Sequence, residues 1–519
     1  MEYIADPLKF ILHNATMIGG TVFCFIVLMV FHLFKINIRV NTFERLELFC
    51  SYGAVAFFII YIIAGVIYLF YPNYLNHIEP LVASIGIVMK NGEILYPMPV
   101  GVYSYNWSLY GPALFEIQAF FQWIGATSII VTSKLPGLFA LIVSAIILLR
   151  ISRNWLYRGY LLYLFPFGLM LFWNRAEPFL IMIVSISLLF GQNYVNKRYL
   201  PIIMGVLGGI ASALKIHGAA YIFTAYLAVA ASSCSISSIL LFLVSSVLSF
   251  SAFFLPDNVL FSGLWGYLSL VGIDHGFSLK LWIENLIYLA FLSFPFVVFW
   301  RGIKLKRTMR LRVTLILVIE FLITIVASKY GNGFYHLMPL IPMNAFIIQK
   351  LSEAVVVEKG LFKILYVSLI VVSFIVVPLD FVLPMAKSWH QFNYAQKEIA
   401  SLEKNFPGLM MGVTDEQGYP YAFMRVMLRK RQIDYAAFMD LQVAGFKDDE
   451  FAERLERCKI PSILIPNYGE PFSLKNYYTS EPLFSDKLRE VFASKYILIQ
   501  RGKYYSVYTC AFSSRDMLP

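Results

Sequence analysis

The sequence predicts a polytopic α-helical membrane protein with a C-terminal α/β domain, and its composition is the first observation behind this prediction. The chain has 519 residues, of which 59% are hydrophobic and only 14% are charged. Soluble proteins are about 45–50% apolar and about 25% charged, so this chain has too few charges to cover a soluble surface. A soluble multidomain enzyme, a disordered chain and a fibrous repeat are therefore excluded.

Apolar runs long enough to cross about 30 Å of hydrocarbon recur along the first three quarters of the chain. About twelve spans are predicted, near 16–34, 48–71, 133–150, 155–173, 178–195, 199–214, 217–232, 235–255, 284–300, 313–329, 336–351 and 362–384. Pro166, Pro295, Pro339 and Pro342 fall within these runs and predict kinked or broken helices.

The basic residues are distributed unequally between the two sets of connections, which predicts the orientation. One set holds 17 Lys and Arg, and the opposite set holds seven before residue 385. The first set should face the cytoplasm of a bacterial inner (plasma) membrane. Both termini and the 72–132 loop then lie outside. Because the net charge of +11 reflects this asymmetry, it predicts no nucleic-acid partner.

Charges return from about residue 385, which predicts a membrane domain over 1–384 and a soluble extracytoplasmic α/β domain over 385–519. Within it, the pattern predicts strands at Leu409–Val413 and Ser462–Pro466, helices at Tyr421–Arg429 and Glu450–Cys458, and a hairpin of Tyr496–Gln500 with Tyr504–Cys510. The sequence leaves open whether Cys458 and Cys510 form a disulfide or remain a reduced buried pair.

The 72–132 loop contains the most informative polar residues. His77-Ile78-Glu79-Pro80 places a carboxylate and an imidazole just past the outer end of a span. Partial burial there raises the pKa of a carboxyl group toward the range useful for a general base. An exposed loop acid beside an interfacial histidine is the alternative interpretation.

Three other outer connections carry cations, imidazoles and an acid. They contribute Arg175 and Glu177, then Lys215 and His217, and finally Lys329 and His336. If the four connections converge, several cations would lie near an acid at the membrane surface, which suits a phosphate whose lipid tail stays in the bilayer. For Lys215 or Lys329 taken singly, snorkelling at a helix end is the alternative.

The order of these features resembles the bacterial GT-C superfamily of integral-membrane glycosyltransferases, which includes the protein-mannosyltransferase-like and aminoarabinose-transferase-like enzymes. The resemblance extends over about 48–384. It rests on Glu79, Tyr96-Pro97, Tyr110-Gly111-Pro112, Asn174-Arg175-Ala176-Glu177, a Gly-rich helix ending in Lys215, and Tyr335-His336-Leu337-Met338-Pro339-Leu340-Ile341-Pro342.

The resemblance implies a GT-C fold and an inverting transfer on the outer face of the membrane. The donor would be a polyprenyl-phosphate sugar and the acceptor a cell-envelope glycan or a lipid-linked molecule. The implied catalytic residues are Glu79 as base with His77 beside it; the implied donor-phosphate residues are Arg175, Lys215, His217, Lys329 and His336; the implied cavity residues are Tyr105, Tyr110 and Glu177.

The sequence departs from the family pattern in the first loop, where related enzymes often carry two acids. Here His77 stands at the first of these positions, and one carboxylate with one imidazole is a poor site for a hard cation. A divalent metal is therefore only weakly supported, and no other cofactor is predicted. A span at 16–34, before the usual first one, is the second departure.

Other classes of membrane protein remain as alternatives. These are a transporter or flippase of a lipid-linked sugar or other solute, a polysaccharide polymerase or ligase with a diphosphate-linked donor, and a non-catalytic scaffold acting through 385–519. Transporters generally have repeated halves and polar residues at the membrane midplane. In this sequence Glu320 is the one strong mid-span charge, and most candidate residues lie at one surface.

Overall fold

The computed structural model describes residues 41–97, 108–125, 128–194, 198–230, 235–274, 276–301, 307–354, 360–414, 422–428 and 435–511. This part of the chain is mostly helical, with a small sheet near the C terminus. The predicted span at 16–34 and the predicted cavity residue Tyr105 lie outside the described residues.

Fifteen α-helices precede residue 406 in the described ranges. They are α1 (Asn41–Phe70), α2 (Ile78–Lys90), α3 (Pro112–Ile124), α4 (Ile129–Ile151), α5 (Trp155–Leu161), α6 (Ala176–Tyr194), α7 (Leu200–Leu214), α8 (Gly218–Val229), α9 (Ile236–Ala252), α10 (Phe261–Asp274), α11 (Leu279–Arg301), α12 (Arg307–Ala327), α13 (Ile341–Ala354), α14 (Gly360–Val377) and α15 (Leu383–Asn405).

Five helical segments in the described ranges are long and apolar enough to cross a membrane: Arg45–Phe70, Ile129–Ile151, Ala176–Tyr194, Leu279–Phe296 and Phe362–Asn405. Helices α7, α8 and α9 are apolar but have 15, 12 and 17 residues, below the roughly 20 that a spanning helix needs. The chain is thus a membrane protein by its helices, whereas twelve spans and a GT-C arrangement remain predictions.

Two of the predicted spans are each divided into an α-helix and a 3₁₀ segment. The run at 155–173 forms α5 followed by a 3₁₀ segment at Leu162–Leu171, which contains Pro166. The run at 336–351 begins with a 3₁₀ segment at Phe334–Leu340, which contains Pro339, and continues as α13. Proline has no backbone N–H and clashes with the preceding turn, which disfavours a continuous α-helix at these two points. The break predicted at Pro295 does not occur, because α11 continues through this residue.

Large apolar side chains on the outside of the bundle support its membrane location. On α9, Ile236, Leu240, Leu243 and Val247 recur at helical spacing and are 50–80% exposed. Behind this face, α9 packs along α7, which also packs along α8. A continuous exposed apolar face of this kind is unfavourable in water and indicates contact with lipid.

The predicted domain boundary at 384/385 falls inside a continuous helical run. Helix α14 passes through a π-helical turn at Pro378–Val382 directly into α15. Tyr71, at the end of α1, contacts Trp389 and Phe392 of α15, with ring centroids 5.8 Å apart in both cases. The last apolar helix therefore leaves the bundle without a break and carries the C-terminal region.

The C-terminal region contains a four-stranded sheet with short helices around it. Its elements are β1 (Met410–Met411), α16 (Met424–Met427), α17 (Tyr435–Val443), α18 (Asp449–Glu456), β2 (Ser462–Pro466), α19 (Asp486–Lys495), β3 (Tyr496–Arg501) and β4 (Tyr505–Cys510). The strand order is β1-β2-β4-β3, with β1 and β2 parallel and the other pairs antiparallel. The predicted α/β character and the β3–β4 hairpin are confirmed, although the first strand has only two residues.

Two contacts fix the position of this region on the bundle. The backbone N–H of Phe423 donates to Asn73 Oδ1 at 3.3 Å, and Arg425 Nη1 donates to the carbonyl of His77 at 2.9 Å. Helix α16 also packs on α2 and α4. The C-terminal region therefore covers the segment that joins α1 to α2. Cys458 and Cys510 are joined in a disulfide within it, with Cα atoms 5.8 Å apart.

Candidate functional site

Glu79 lies in the first turn of α2 and is fully buried. Its Oε1 accepts hydrogen bonds from Tyr68 Oη at 2.8 Å and from the backbone N–H of Asn174 at 2.9 Å. Its Oε2 accepts from the N–H of Leu75 and from Asn76 Nδ2, both at 3.2 Å. Burial raises the pKa of Glu79, and these hydrogen bonds oppose the rise.

Lys134 of α4 is a buried cation beside this carboxylate, and the sequence interpretation gave it no role. Its Nζ donates to the carbonyls of Tyr68, Tyr71 and Asn73 at 3.1, 2.6 and 2.7 Å. Carbonyls at the C-terminal end of a helix lack partners within the helix and attract cations, which explains why Lys134 lies at the end of α1. The signal in the sequence was a lone charge inside an apolar run.

A second cluster contains two cations and one acid. Lys215 Nζ lies 2.7 Å from Glu177 Oε1, and Arg175 Nε lies 3.7 Å from Glu177 Oε2. Arg175 and Lys215 are each 8% exposed, and Glu177 is fully buried. Burial lowers the pKa of Lys215 to about 8 although Glu177 opposes the change. With both bases charged, these three side chains carry a net charge of +1.

Two histidines extend this cluster. Lys215 Nζ lies 3.1 Å from His336 Nε2, and His336 Nδ1 lies 3.2 Å from His217 Nε2. An ammonium group only donates, so His336 Nε2 must accept and its Nδ1–H must donate to His217. The hydrogen bonds therefore assign both rings to the neutral form and leave the cluster charge unchanged.

Aromatic rings enclose the guanidinium of Arg175. Its Cζ lies 4.0 Å from the ring centre of Trp173 and 4.6 Å from that of Tyr335. Arg175 Nε also donates to Tyr110 Oη at 2.6 Å. Such rings attract a cation through their electron-rich faces and fix its direction, but they do not neutralise its charge.

The backbone brings these distant segments together. Tyr110 and Lys215 form an isolated antiparallel bridge. The next residue, Gly111, approaches the end of α7 so closely that a Cβ there would overlap the carbonyl of Ala213. Asn174 joins the two clusters, because its N–H binds Glu79 and its neighbour is Arg175. The side chain of Gln118 binds Asn174 Oδ1 and holds this turn.

Two other predicted site residues, His77 and Lys329, take no part in the side-chain contacts described above that form the two clusters. His77 is half-buried and contacts Arg425 through its carbonyl. Burial and the charges of Arg425 and Arg175 lower the pKa of its imidazole to about 3, so the ring is neutral at pH 7. Lys329 is half-exposed and bridges Phe277 through its backbone. It is not among the residues that the contacts above join.

The described residues also bear on the metal and on the mid-helix acid. They contain no group of three or more His, Cys, Asp or Glu side chains placed to hold a metal ion. Glu320 is fully buried within α12, and the side chain next to its carboxylate is Asn344 of α13. None of the contacts described above joins Glu320 to either cluster.

Comparison of the chain with protein families, curated proteins and solved structures finds no match. The chemistry of the site therefore rests on its own residues, namely a buried carboxylate, two buried cations that share a second carboxylate, and two neutral imidazoles.

Proposed function

We propose that this protein is a membrane glycosyltransferase of GT-C type that transfers a sugar from a polyprenyl-phosphate donor to a hydroxyl group of a cell-envelope glycan or lipid-linked acceptor. The observation that supports this most is the sharing of one carboxylate, Glu177, by two buried cations, Arg175 and Lys215. The site lies where the connections between apolar helices meet, which suits a substrate whose tail remains in the bilayer.

The charge of the cluster supports an anionic ligand. Holding an unpaired charge out of water costs several kcal/mol, and within the described residues the cluster of Arg175, Glu177 and Lys215 retains one positive charge. A phosphodiester carries one negative charge and would neutralise it. The planar fork of Arg175 and the ammonium of Lys215 both suit phosphate oxygens.

The transfer step follows from the two clusters. The acceptor oxygen forms a bond to the anomeric carbon, and its proton goes to Glu79. The bond from that carbon to the phosphate oxygen breaks, and the polyprenyl phosphate leaves with the electron pair. Because negative charge grows on the departing phosphate, Arg175 and Lys215 stabilise the transition state more than the bound donor.

Glu79 is the base in this proposal, and its hydrogen bonds set a condition on that role. All four bonds to its carboxylate come from the protein. The two bonds to Oε2 are the longer ones, so an acceptor hydroxyl would replace Asn76 Nδ2 at that oxygen. The same carboxylate also holds the backbone of Asn174 in place. An experiment must therefore separate the role of Glu79 as a base from its role in positioning Asn174.

The test uses the full-length protein in nanodiscs with undecaprenyl phosphate as the probe. Arg175→Gln or Lys215→Met should weaken binding at least tenfold, which corresponds to about 1.4 kcal/mol. Lys280→Gln, which removes an exposed lysine at the start of α11, should have no effect. Equal binding of undecaprenol, which lacks the phosphate, would contradict the phosphate site.

Transfer itself is measured as release of polyprenyl phosphate from an extract of lipid-linked sugars. Release should require the wild-type cluster and an added glycan acceptor. Movement of the intact lipid-linked sugar across a proteoliposome membrane, without release, would favour the transporter alternative instead.

A further inference from the structure

A cavity of about 360 Å³ lies between four helices of the bundle and away from the clusters described above. It is lined by the ends of α6 and α8, the beginning of α12 and the second half of α13. Typical small-molecule sites have volumes of about 300–1,000 Å³, so this cavity is large enough for a ligand. None of its lining residues takes part in the proposed transfer reaction.

The cavity lies at the opposite end of the bundle from the candidate site. Helix α6 begins next to Arg175 and reaches the cavity at Gly191, 14 residues after Glu177. At 1.5 Å per residue this is about 21 Å. Helix α8 begins at Gly218, beside His217, and also ends at the cavity. A separation of about 20 Å within roughly 30 Å of hydrocarbon places the cavity toward the other leaflet.

Among the described residues that line it, most of the cavity wall is apolar and the charged members are basic. Leu227, Ile316 and Phe346 are buried and line it, and the charged lining residues are Arg312 and Lys350. A water molecule occupies about 30 Å³, so the volume holds on the order of ten methylene-sized groups. This is comparable to a stretch of one acyl chain.

The two basic residues are available to an anion. Within the described ranges Lys350 pairs with Glu353 at 3.3 Å, and its Nζ also lies 5.7 Å from the ring centre of Phe346, which lines the cavity. Both members of the ion pair are nearly half exposed, so the pair contributes little. Arg312 is half-buried and has no hydrogen bond or ion pair with any residue in the described ranges. A guanidinium and an ammonium beside an apolar cavity match a phosphate that is attached to a hydrocarbon chain.

We propose that this cavity binds an anionic phospholipid from the leaflet opposite the candidate site. Its phosphate lies on Arg312 and Lys350, and part of one acyl chain lies between α6, α8, α12 and α13. The lipid joins the far ends of α6 and α8, whose other ends hold Glu177 and His217. This site is independent of the proposed transfer reaction.

The experiment uses the full-length protein and native mass spectrometry, with phosphatidylglycerol and phosphatidylcholine as probes. We expect phosphatidylglycerol to be retained at least tenfold more strongly than phosphatidylcholine. The double substitution Arg312→Gln with Lys350→Gln should abolish this preference. Arg310→Gln, an exposed arginine on the same helix that does not line the cavity, should preserve it.

A second variant tests the apolar part of the site. Ala228 lines the cavity, and Ala228→Trp fills it, so retention of phosphatidylglycerol should fall at least tenfold although both basic residues remain. Phosphatidylglycerol with a photoreactive acyl chain provides the same test on the unaltered protein. Its crosslinks should map to α6, α8, α12 or α13.

Three results would overturn the proposal. The first is equal retention of the two lipids by the wild-type protein. The second is thermal protection by inorganic phosphate that equals the protection by phosphatidylglycerol, which would show an ion site without a lipid. The third is photo-crosslinking that is confined to other helices.

Discussion

Replacing Glu177 with glutamine should destabilise the protein and at the same time strengthen its affinity for a lipid phosphate. The substitution removes the carboxylate that Arg175 and Lys215 share, so the cluster charge rises from +1 to +2. At an effective dielectric constant of about 20, the distances of 2.7 and 3.7 Å correspond to gross attractions of about 6 and about 4.5 kcal/mol. Because desolvation offsets much of this attraction, the net loss of stability from breaking a buried pair is about 3–5 kcal/mol.

The assay is thermal unfolding of the full-length protein in nanodiscs with and without undecaprenyl phosphate. A ligand present at about 100 times its dissociation constant stabilises a protein by about 2.7 kcal/mol. Glu177→Gln should therefore recover most of its loss when the lipid phosphate is added. Lys215→Met leaves Glu177 paired with Arg175 and a net charge of zero, so it should show little response to the lipid.

Glu116→Gln is the matched control, because Glu116 is a half-buried acid of α3 outside the cluster. Its response to undecaprenyl phosphate should equal that of the wild-type protein. A Glu177→Gln variant that responds no more than the wild-type protein would refute the argument from charge. A loss of binding in that variant would instead show that Glu177 itself contacts the ligand.

Three further predictions concern pH, the proposed base and the disulfide. Burial lowers the pKa of Lys215 to about 8, so the amine of the unliganded protein loses its charge as pH rises through that value. The kcat/KM for the lipid-phosphate donor should therefore fall there, and Lys215→Arg should remove this fall. A Lys215→Arg variant with the same pH profile as the wild-type protein would exclude Lys215 as the titrating group. Glu79→Gln should abolish transfer but preserve binding of undecaprenyl phosphate. Each hydrogen-bond donor that the new amide leaves unpaired should cost about 1–3 kcal/mol of stability. Equal loss of binding and transfer would show that Glu79 only positions Asn174. Cys458→Ser removes the disulfide with Cys510, which links residues 52 positions apart. Its loss should cost about 4 kcal/mol in the chain-entropy description. Unfolding of this variant should no longer respond to a reductant, and a persistent response would contradict the pairing.

Much of the fold could be predicted because it depends on local patterns. Long apolar runs with few charges predict α1, α4 and α6, since a membrane helix satisfies its own backbone and exposes apolar side chains. The alternating pattern around Arg501 likewise predicted the hairpin of β3 and β4. The number of spans depends instead on where helices break. Pro166 and Pro339 predict kinked or broken helices, but they do not predict how long the 3₁₀ segments at these positions are.

The candidate site could be predicted only in part. A charge in an otherwise apolar chain is unusual, which identified Glu79, Arg175 and Lys215. The sequence did not show that Glu79 has all its hydrogen bonds within the protein, nor that Lys134 lies beside it. Both facts depend on the approach of α1, α4 and the Asn174 turn, and no pattern within one segment encodes that approach.

The sequence by itself determined that this chain has too few charges for a soluble surface, that apolar helices dominate it, and that a charged α/β region follows them. These properties depend on composition and on the pattern of residues that are close in sequence. The tertiary structure decided which charges meet, as with Lys215 and His336, which are 121 residues apart and 3.1 Å from each other. It also decided that two cations share one carboxylate, because burial and pairing arise only when helices from distant parts of the chain pack together.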